Sequence, residues 1–418
     1  MKLGKTVFFS ALMTIIKTAA GFISSKVVAI YVGPAGLALV GQFMNFLGVT
    51  LTFANGAVNT GVVKYTAQYS AEGNDEKLKK LFSTALRITI FLSGIISICL
   101  FFGSSFFSQW IFGTPDYVGP MRALGIGLVF YAINLLLVSI LNGRSEIRTY
   151  TIVNICGTVF SLVLTVILIY YYNVSGALYA LAVSQSAAFF ITVIILLKTK
   201  LIDFSYFKES FNREIFKNLS SYSLMAIVSA LTLPIAQLFL RSYVTNHFGG
   251  VSAGYWQGVM RISDAYLLVI TTALSTYYLP KLSSLKSDSE IRHEIIKGYK
   301  MIVPALLVSI GAIFLCRVLI IKILYSDEFI PMKDLFLFQL LGDFFKVCSW
   351  LLGYVLVARA QTKFYIFIEI SFTIIFVALS VFLMNIIGLK GIVFSFFVNN
   401  LIFFFIMLFL LRNIFIKK

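Results

Sequence analysis

The sequence predicts an all-α, polytopic membrane protein, with twelve transmembrane helices in two six-helix lobes that form parallel repeats around a central cavity. Three observations predict it. Of 418 residues, 59% are hydrophobic and only 12% charged, far from the balance of a soluble domain. Apolar runs of about 20 residues or more, each long enough to cross a hydrocarbon core, recur along the whole chain. Finally, a shift of 215 positions superposes Arg144 on Arg359, Arg148 on Lys363, Tyr150 on Tyr365, Ile155 on Ile370, Gly176 on Gly391 and Phe189 on Phe404 without a gap.

The runs follow in order. Residues 7–31 come after Lys2 and Lys5 like the core of a signal peptide, but no small-residue cleavage site ends them, so they stay as the first helix. Gly33-Pro34 turns the chain into 36–63, where Asn55-Gly56 and Asn59-Thr60-Gly61 interrupt the run and read either as a kink or as small-residue packing. Runs 81–109 and 119–142 flank Gly113-Thr114-Pro115-Asp116, and 150–173 and 176–197 flank Asn173. In the second half, 219–244 and 251–279 flank Asn246 to Gly250, 301–325 and 334–358 flank Ser326 to Lys333, and 364–387 and 391–411 flank Gly388. The lobes are 1–198 and 219–418. Between them, 199–218 alternates aromatic and charged residues, which suits an amphipathic helix on the membrane surface or a plain tether.

A net charge of +17 and a pI near 9.6 would suit nucleic acid in a soluble chain, but here the basic residues report orientation. Lys2, Lys77, Lys79, Lys80, Arg144, Arg148, Lys198, Lys200, Lys286, Arg292, Arg359, Lys417 and Lys418 gather on loops of one face, whereas the opposite loops carry Arg122, Lys333 and Lys390. That places both termini and the long loops in the cytoplasm, with no nucleic-acid partner. Cys99, Cys156, Cys316 and Cys348 have no paired spacing, and His247 and His293 read as solvated loop residues, so neither a metal nor a cofactor is expected.

Lys17, Lys26, Lys64, Arg87, Arg241, Arg261, Arg317, Lys322 and Lys346 lie inside or at the rims of the apolar runs, with Asp264, Asp343 and Glu369. Charges in hydrocarbon cost from a few kcal/mol upward, so such groups face a cavity, a partner or an ion path. Arg87, Arg241, Arg317 and Lys322 are near helix ends and can snorkel. Lys17, Arg261 and Lys346 are near mid-span. Arg261 with Asp264, and Asp343 with Lys346, have i, i+3 spacing, so each pair shares a helix face and reads either as a self-neutralising lock or as a polar lining with a protonatable switch. The first lobe holds no membrane acid, so either the lobes pair or a mobile anion completes its cations. Lys17 and Lys26 fall about half a turn out of phase, which favours Lys26 as the cavity residue.

The leading expectation is an exporter of a lipid-linked anion, whose phosphate oxygens suit ammonium and guanidinium donors. A cargo of two negative charges gains about 4.6 kcal/mol on moving outward through a 100 mV inside-negative potential, and no ATP motif is present. A cation-drug antiporter would want acids in the first lobe. A membrane glycosyltransferase or polymerase would need positioned carboxylates or a large catalytic loop, against the short outer loops here.

The stretches Tyr31 to Phe43 (YVGPAGLALVGQF), Val62 to Tyr69 (VVKYTAQY), Tyr255 to Tyr266 (YWQGVMRISDAY), Tyr278 to Leu285 (YLPKLSSL) and Gly342 to Tyr354 (GDFFKVCSWLLGY), with Lys17 and Lys26, resemble the Wzx flippases of the multidrug/oligosaccharidyl-lipid/polysaccharide superfamily, and within it the enterobacterial lipid III flippase branch. The resemblance implies a twelve-helix inner-membrane protein, not an enzyme. Its cargo would be an undecaprenyl-diphosphate-linked oligosaccharide, an O-antigen or common-antigen unit, and its partners the polymerase or chain-length proteins of the same pathway. It also implies a cationic cavity at Lys26, Lys64, Arg261 and Lys346, accompanied by Asp264 and Asp343; from their places in the apolar runs, Lys17, Arg87, Arg241 and Glu369 are further candidates for the cavity.

Overall fold

The computed structural model describes residues 3–199, 201, 203–274, 278, 281–282, 285, 287–359, 362–412 and 414. Of the loop cations named above, Lys2, Lys200, Lys286, Lys417 and Lys418 lie outside them, as does part of the stretch after Tyr278. The described elements are helices α1 (Leu3–Ala54), α2 (Asn59–Ala71), α3 (Asp75–Phe102), α4 (Ser104–Phe112), α5 (Val118–Gly143), α6 (Ile147–Thr199), α7 (Arg213–Ala273), α8 (Asp288–Leu315), α9 (Arg317–Leu324), α10 (Phe336–Ala358), α11 (Thr362–Ile387) and α12 (Lys390–Leu410), with short 3-10 segments at Pro115–Tyr117, Phe204–Phe207 and Asp327–Leu335. Eight helical stretches among these residues are long and apolar enough to cross a membrane. The protein is therefore multi-pass.

Three helices are longer than a bilayer needs, and each is broken once. α1 contains Gly33 at φ +69°, α6 contains Asn173 at φ +50°, and α7 contains Gly249 at φ +83°. Left-handed backbone is open to glycine and tolerated by asparagine, so one residue ends one helical arm and starts the next. Pro34 then lacks the N–H that the first turn of an arm would leave unsatisfied anyway. After α1, Gly56 and Ala57 also have positive φ, so the interrupted second run is a break rather than a gentle kink, and α2 restarts at Asn59.

The chain divides into two compact units, Met1–Val32 with Leu39–Leu238, and Gly33–Ala38 with Phe239–Lys418. In unit 1 the core gathers Leu81, Phe82, Leu136, Ile140 and Leu219. In unit 2 it gathers Ile295, Leu351, Leu352, Val355 and Met407.

Each unit, taken by itself, reuses the same local devices at the spacing of the sequence repeat. α3 and α8 are both 28 residues long and open on side-chain caps, Asn74 accepting from the Lys77 amide and Ser287 from that of Glu290. α5 and α10 end on Arg144 and Arg359. Asn173 and Gly388 are left-handed turns, and a Cβ on the glycine three residues later would strike the backbone at Leu168 for Gly176 and at Leu383 for Gly391. Ring pairs repeat too, with Phe130 and Phe189 centroids 5.6 Å apart and Phe345 and Phe404 5.8 Å apart.

The link between α6 and α7 is not a long surface helix in its described residues. It forms the 3-10 turn Phe204–Phe207 and then runs irregularly to α7, because its neighbours take up its backbone groups. Ser83 Oγ donates to the Tyr206 carbonyl at 3.1 Å, Arg87 Nη2 to the Glu209 carbonyl at 2.8 Å, and the Asn212 amide to Thr84 Oγ1 at 3.1 Å. A helix would have needed those same groups. Asp203 caps the turn through the Ser205 amide, and that hydrogen bond holds its carboxyl below the usual carboxylate range. Both histidines also lie in helices rather than loops, His247 stacked on Tyr243 with centroids 4.0 Å apart.

Candidate functional site

In unit 2, the second arm of α7 meets α10 around one buried carboxylate. Asp343 is fully buried, and its Oδ2 accepts hydrogen bonds from Ser263 Oγ and Tyr266 Oη, both at 2.6 Å, while Gln339 Nε2 reaches Oδ1 at 3.4 Å. Ser263 and Tyr266 share a face because they are three residues apart, and Gln339 precedes Asp343 by one turn. The expected partner, Lys346, does not bridge directly to Asp343. Its Nζ lies over the Trp350 ring at 5.1 Å and the Phe396 ring at 5.5 Å. The i, i+3 spacing therefore did put the two charges on neighbouring faces, but neutral hydroxyls and aromatic rings took the places closest to each.

Arg261 and Asp264 sit two positions out of step with Ser263 and Tyr266, roughly 200° round an ideal helix, and so occupy a different face. Asp264 is exposed and feels the fields of Lys346 and Arg261, in that order. Arg261 is half-buried and has Tyr325 and Asp264 as its electrostatic neighbours. This gives α7 one face that solvates Asp343 and another that carries Arg261 and Asp264.

Arg241, expected to snorkel, is instead 2% exposed inside unit 2. It donates through Nη2 to Gln257 Oε1 and lies over Trp256, 5.5 Å from the ring centroid, while its Nε and Nη1 make no hydrogen bond. Two buried unpaired donors cost about 1–3 kcal/mol each, partly offset by the cation–π contact. Nearer the surface, Lys322 pairs with Asp327 at 3.7 Å, and Arg317 donates to the Phe314 carbonyl at 2.6 Å.

Unit 1 places its predicted cations separately, and two of them, Lys17 and Arg87, have neutral hydrogen-bond partners. Lys17 Nζ on α1 donates to Asn154 Oδ1 on α6 at 2.7 Å. Arg87 rests on the Glu209 carbonyl and, with Ser220, supplies the polar part of the lining of a largely apolar cavity of about 600 Å³ walled by Ile88, Phe91, Phe211 and Phe216. Lys64 is exposed, its Nζ 5.3 Å from the centre of the Tyr65 ring, and Lys26 is half-buried on α1. Glu369 in unit 2 is half-buried on α11.

Sequence reasoning missed Ser263, Tyr266, Gln339, Asn154, Gln257 and Trp350. For three of them a signal existed: Gln339 and Asp343, and Lys346 and Trp350, are each four residues apart, and Tyr266 ends one of the stretches quoted above. Asn154 lies 137 residues from Lys17, and nothing local marks that pairing.

Residues 27–334 match the model of a family described as polysaccharide biosynthesis protein. The chain belongs to that family. It is 32% identical over 383 residues to the lipid III flippase of Escherichia coli (strain K12), covering 90% of both chains, and equally to that of Shigella flexneri. These relatives are transporters rather than enzymes. Among solved structures, the fold is similar to the inward-facing conformation of a multidrug resistance MATE family transporter of the MOP superfamily, with a TM-score of 0.81 at 17% identity over 96% of each chain. It is also similar to a MOP superfamily transporter from Pyrococcus furiosus, with a TM-score of 0.65 at 19% identity over 99% of this chain and 97% of that one. The family and the all-helical fold expected from the sequence are thus both found, and the protein is a flippase-like membrane transporter.

Proposed function

We propose that the protein flips an undecaprenyl-diphosphate-linked oligosaccharide, an O-antigen or common-antigen repeat unit, from the cytoplasmic to the periplasmic leaflet of a bacterial inner membrane. The observation that carries it is 32% identity to lipid III flippases across 90% of the chain. Splitting the two broken spans at Gly33 and Asn173, and adding the two arms of α7, supports twelve crossings, and the repeated turns and ring pairs support two parallel six-helix lobes. Both termini then lie in the cytoplasm, in keeping with the basic loops.

Within this scheme Lys64 meets the headgroup near the entrance, Lys26 lies further along the path, and Arg261 and Lys346 hold the diphosphate. Half-exposed cations with aromatic or carboxylate neighbours can exchange those contacts for phosphate oxygens at small cost. Asp264 recaptures the cations once cargo leaves, and Asp343 fixes the position of α10 against α7. Lys17, Arg87 and Arg241 already have neutral partners, and with Glu369 they form supporting walls. Transport is by alternating access, and the pathway's polymerase or chain-length proteins receive the product.

Complementation of flippase-deficient strains with defined repeat units tests function and cargo together. Restored surface polysaccharide is expected, with Lys64→Ala, Arg261→Ala and Lys346→Ala each reducing it at normal expression. Wild-type polysaccharide from all three variants would remove the cationic path from this account.

A further inference from the structure

Unit 2 contains a cavity of about 320 Å³ lined by Thr271 of α7, Trp350, Tyr354 and Val357 of α10, and Phe403 of α12. Trp350 is the residue whose ring the Lys346 ammonium overlies at 5.1 Å, so one indole belongs both to a cation and to a concave aromatic wall. Few ligands suit that adjacency. A glycosyl diphosphate does, because its first sugar is joined directly to the phosphate, and a pyranose presents an apolar C–H face beside polar hydroxyls.

The size fits one sugar rather than a whole oligosaccharide, since this volume is at the small end of ligand sites. Polarity fits as well. The Thr271 hydroxyl already donates to the Leu268 carbonyl at 3.1 Å, which leaves its oxygen as an acceptor for a sugar O–H or an amide N–H. Tyr354 is half-buried with its ring set edge-on to Tyr278 at 6.3 Å, which fixes the ring while its hydroxyl can both donate and accept.

We propose that Trp350, Tyr354 and Thr271 form a subsite for the diphosphate-proximal sugar of the cargo, contiguous with Lys346 as its phosphate contact. This rests on the flippase function proposed above and adds to it the part of the cargo read by rings. Trp350 supplies a stacking face, Tyr354 and Thr271 orient the sugar's polar edge, and Lys346 gives up part of its cation–π contact for a phosphate oxygen.

The test uses the purified full chain and two short-chain probes, a prenyl diphosphate and the same prenyl diphosphate carrying one N-acetylhexosamine. Wild type is expected to bind the glycosylated probe about tenfold more tightly. Trp350→Ala should abolish that difference, whatever it does to the bare probe through the loss of the ring under Lys346, and Trp350→Phe should restore most of it. Lys346→Ala should weaken both probes together. Equal affinity of wild type for the two probes, or an equal loss of both in Trp350→Ala with Trp350→Phe no better, would overturn the sugar subsite and leave the flippase function standing. Binding of neither probe to wild type would overturn both.

Discussion

Phe130 meets Phe189 in unit 1 as Phe345 meets Phe404 in unit 2, and Gly176 crowds Leu168 as Gly391 crowds Leu383, yet the charged groups in the two units are handled differently. Unit 1 settles Lys17 on an asparagine and Arg87 on a backbone carbonyl. Unit 2 buries a carboxylate among hydroxyls, sets Lys346 on aromatic rings and leaves Asp264 exposed within reach of two cations' fields. The lesson is that the repeat preserves what sets helix direction and close packing, while polar partners are free to diverge because they need only hydrogen-bond geometry.

The largest effect that would separate the units is expected at Asp343. Replacing it with Ala strips two short hydrogen bonds, from Ser263 and Tyr266, each worth about 1.5–3 kcal/mol when made to a charged group, and leaves both buried hydroxyls without their acceptor. Thermal unfolding in detergent should show a clear drop for Asp343→Ala and a smaller one for Ser263→Ala or Tyr266→Phe. A midpoint unchanged in Asp343→Ala would mean that the carboxylate does not organise α7 against α10.

Next in size is a test of sameness. Gly176→Ala and Gly391→Ala each place a Cβ into the backbone of the preceding arm, an overpacking penalty of about 1–3 kcal/mol. Matching losses of stability or expression are expected, and a large loss in one with none in the other would break the structural repeat at that point.

Smaller still is the cost of removing a cation with a neutral partner. Lys17→Met loses one charge-assisted hydrogen bond to Asn154, worth about 1.5–3 kcal/mol at most, and gains apolar surface where the side chain is exposed, so the net fall in melting temperature should be slight. Arg241→Met should be close to neutral or stabilising, because it removes two buried donors that have no acceptor. A marked destabilisation by Arg241→Met would show that its contacts with Gln257 and Trp256 outweigh that penalty.

Much of the fold could be read in the chain. Gly33, Asn173, Gly249 and Gly388 were identifiable as connections because apolar runs stop there, and all four have left-handed backbone. The interrupted stretch near Asn55 was also visible, although whether it bent or broke depended on positive φ at Gly56 and Ala57. The link after Lys198 was open between a surface helix and a plain tether, since alternating aromatic and charged residues suit either, and in its described residues Ser83, Thr84 and Arg87 of α3 bind the backbone. Local pattern cannot register partners that lie more than 120 residues away.

The sequence by itself determined that this is a multi-pass helical protein, where several of its connections fall, that residues recur 215 positions apart, and that cations outnumber acids in its apolar runs, because hydropathy, turn chemistry and charge are properties of short segments. Only the tertiary structure decided that Asp343 is held by Ser263 and Tyr266, that Lys346 shares Trp350 with a cavity, and that Arg241 is buried rather than snorkelling. Those outcomes depend on which faces of distant helices meet, and a helix face carries no mark of its partner until the two are packed.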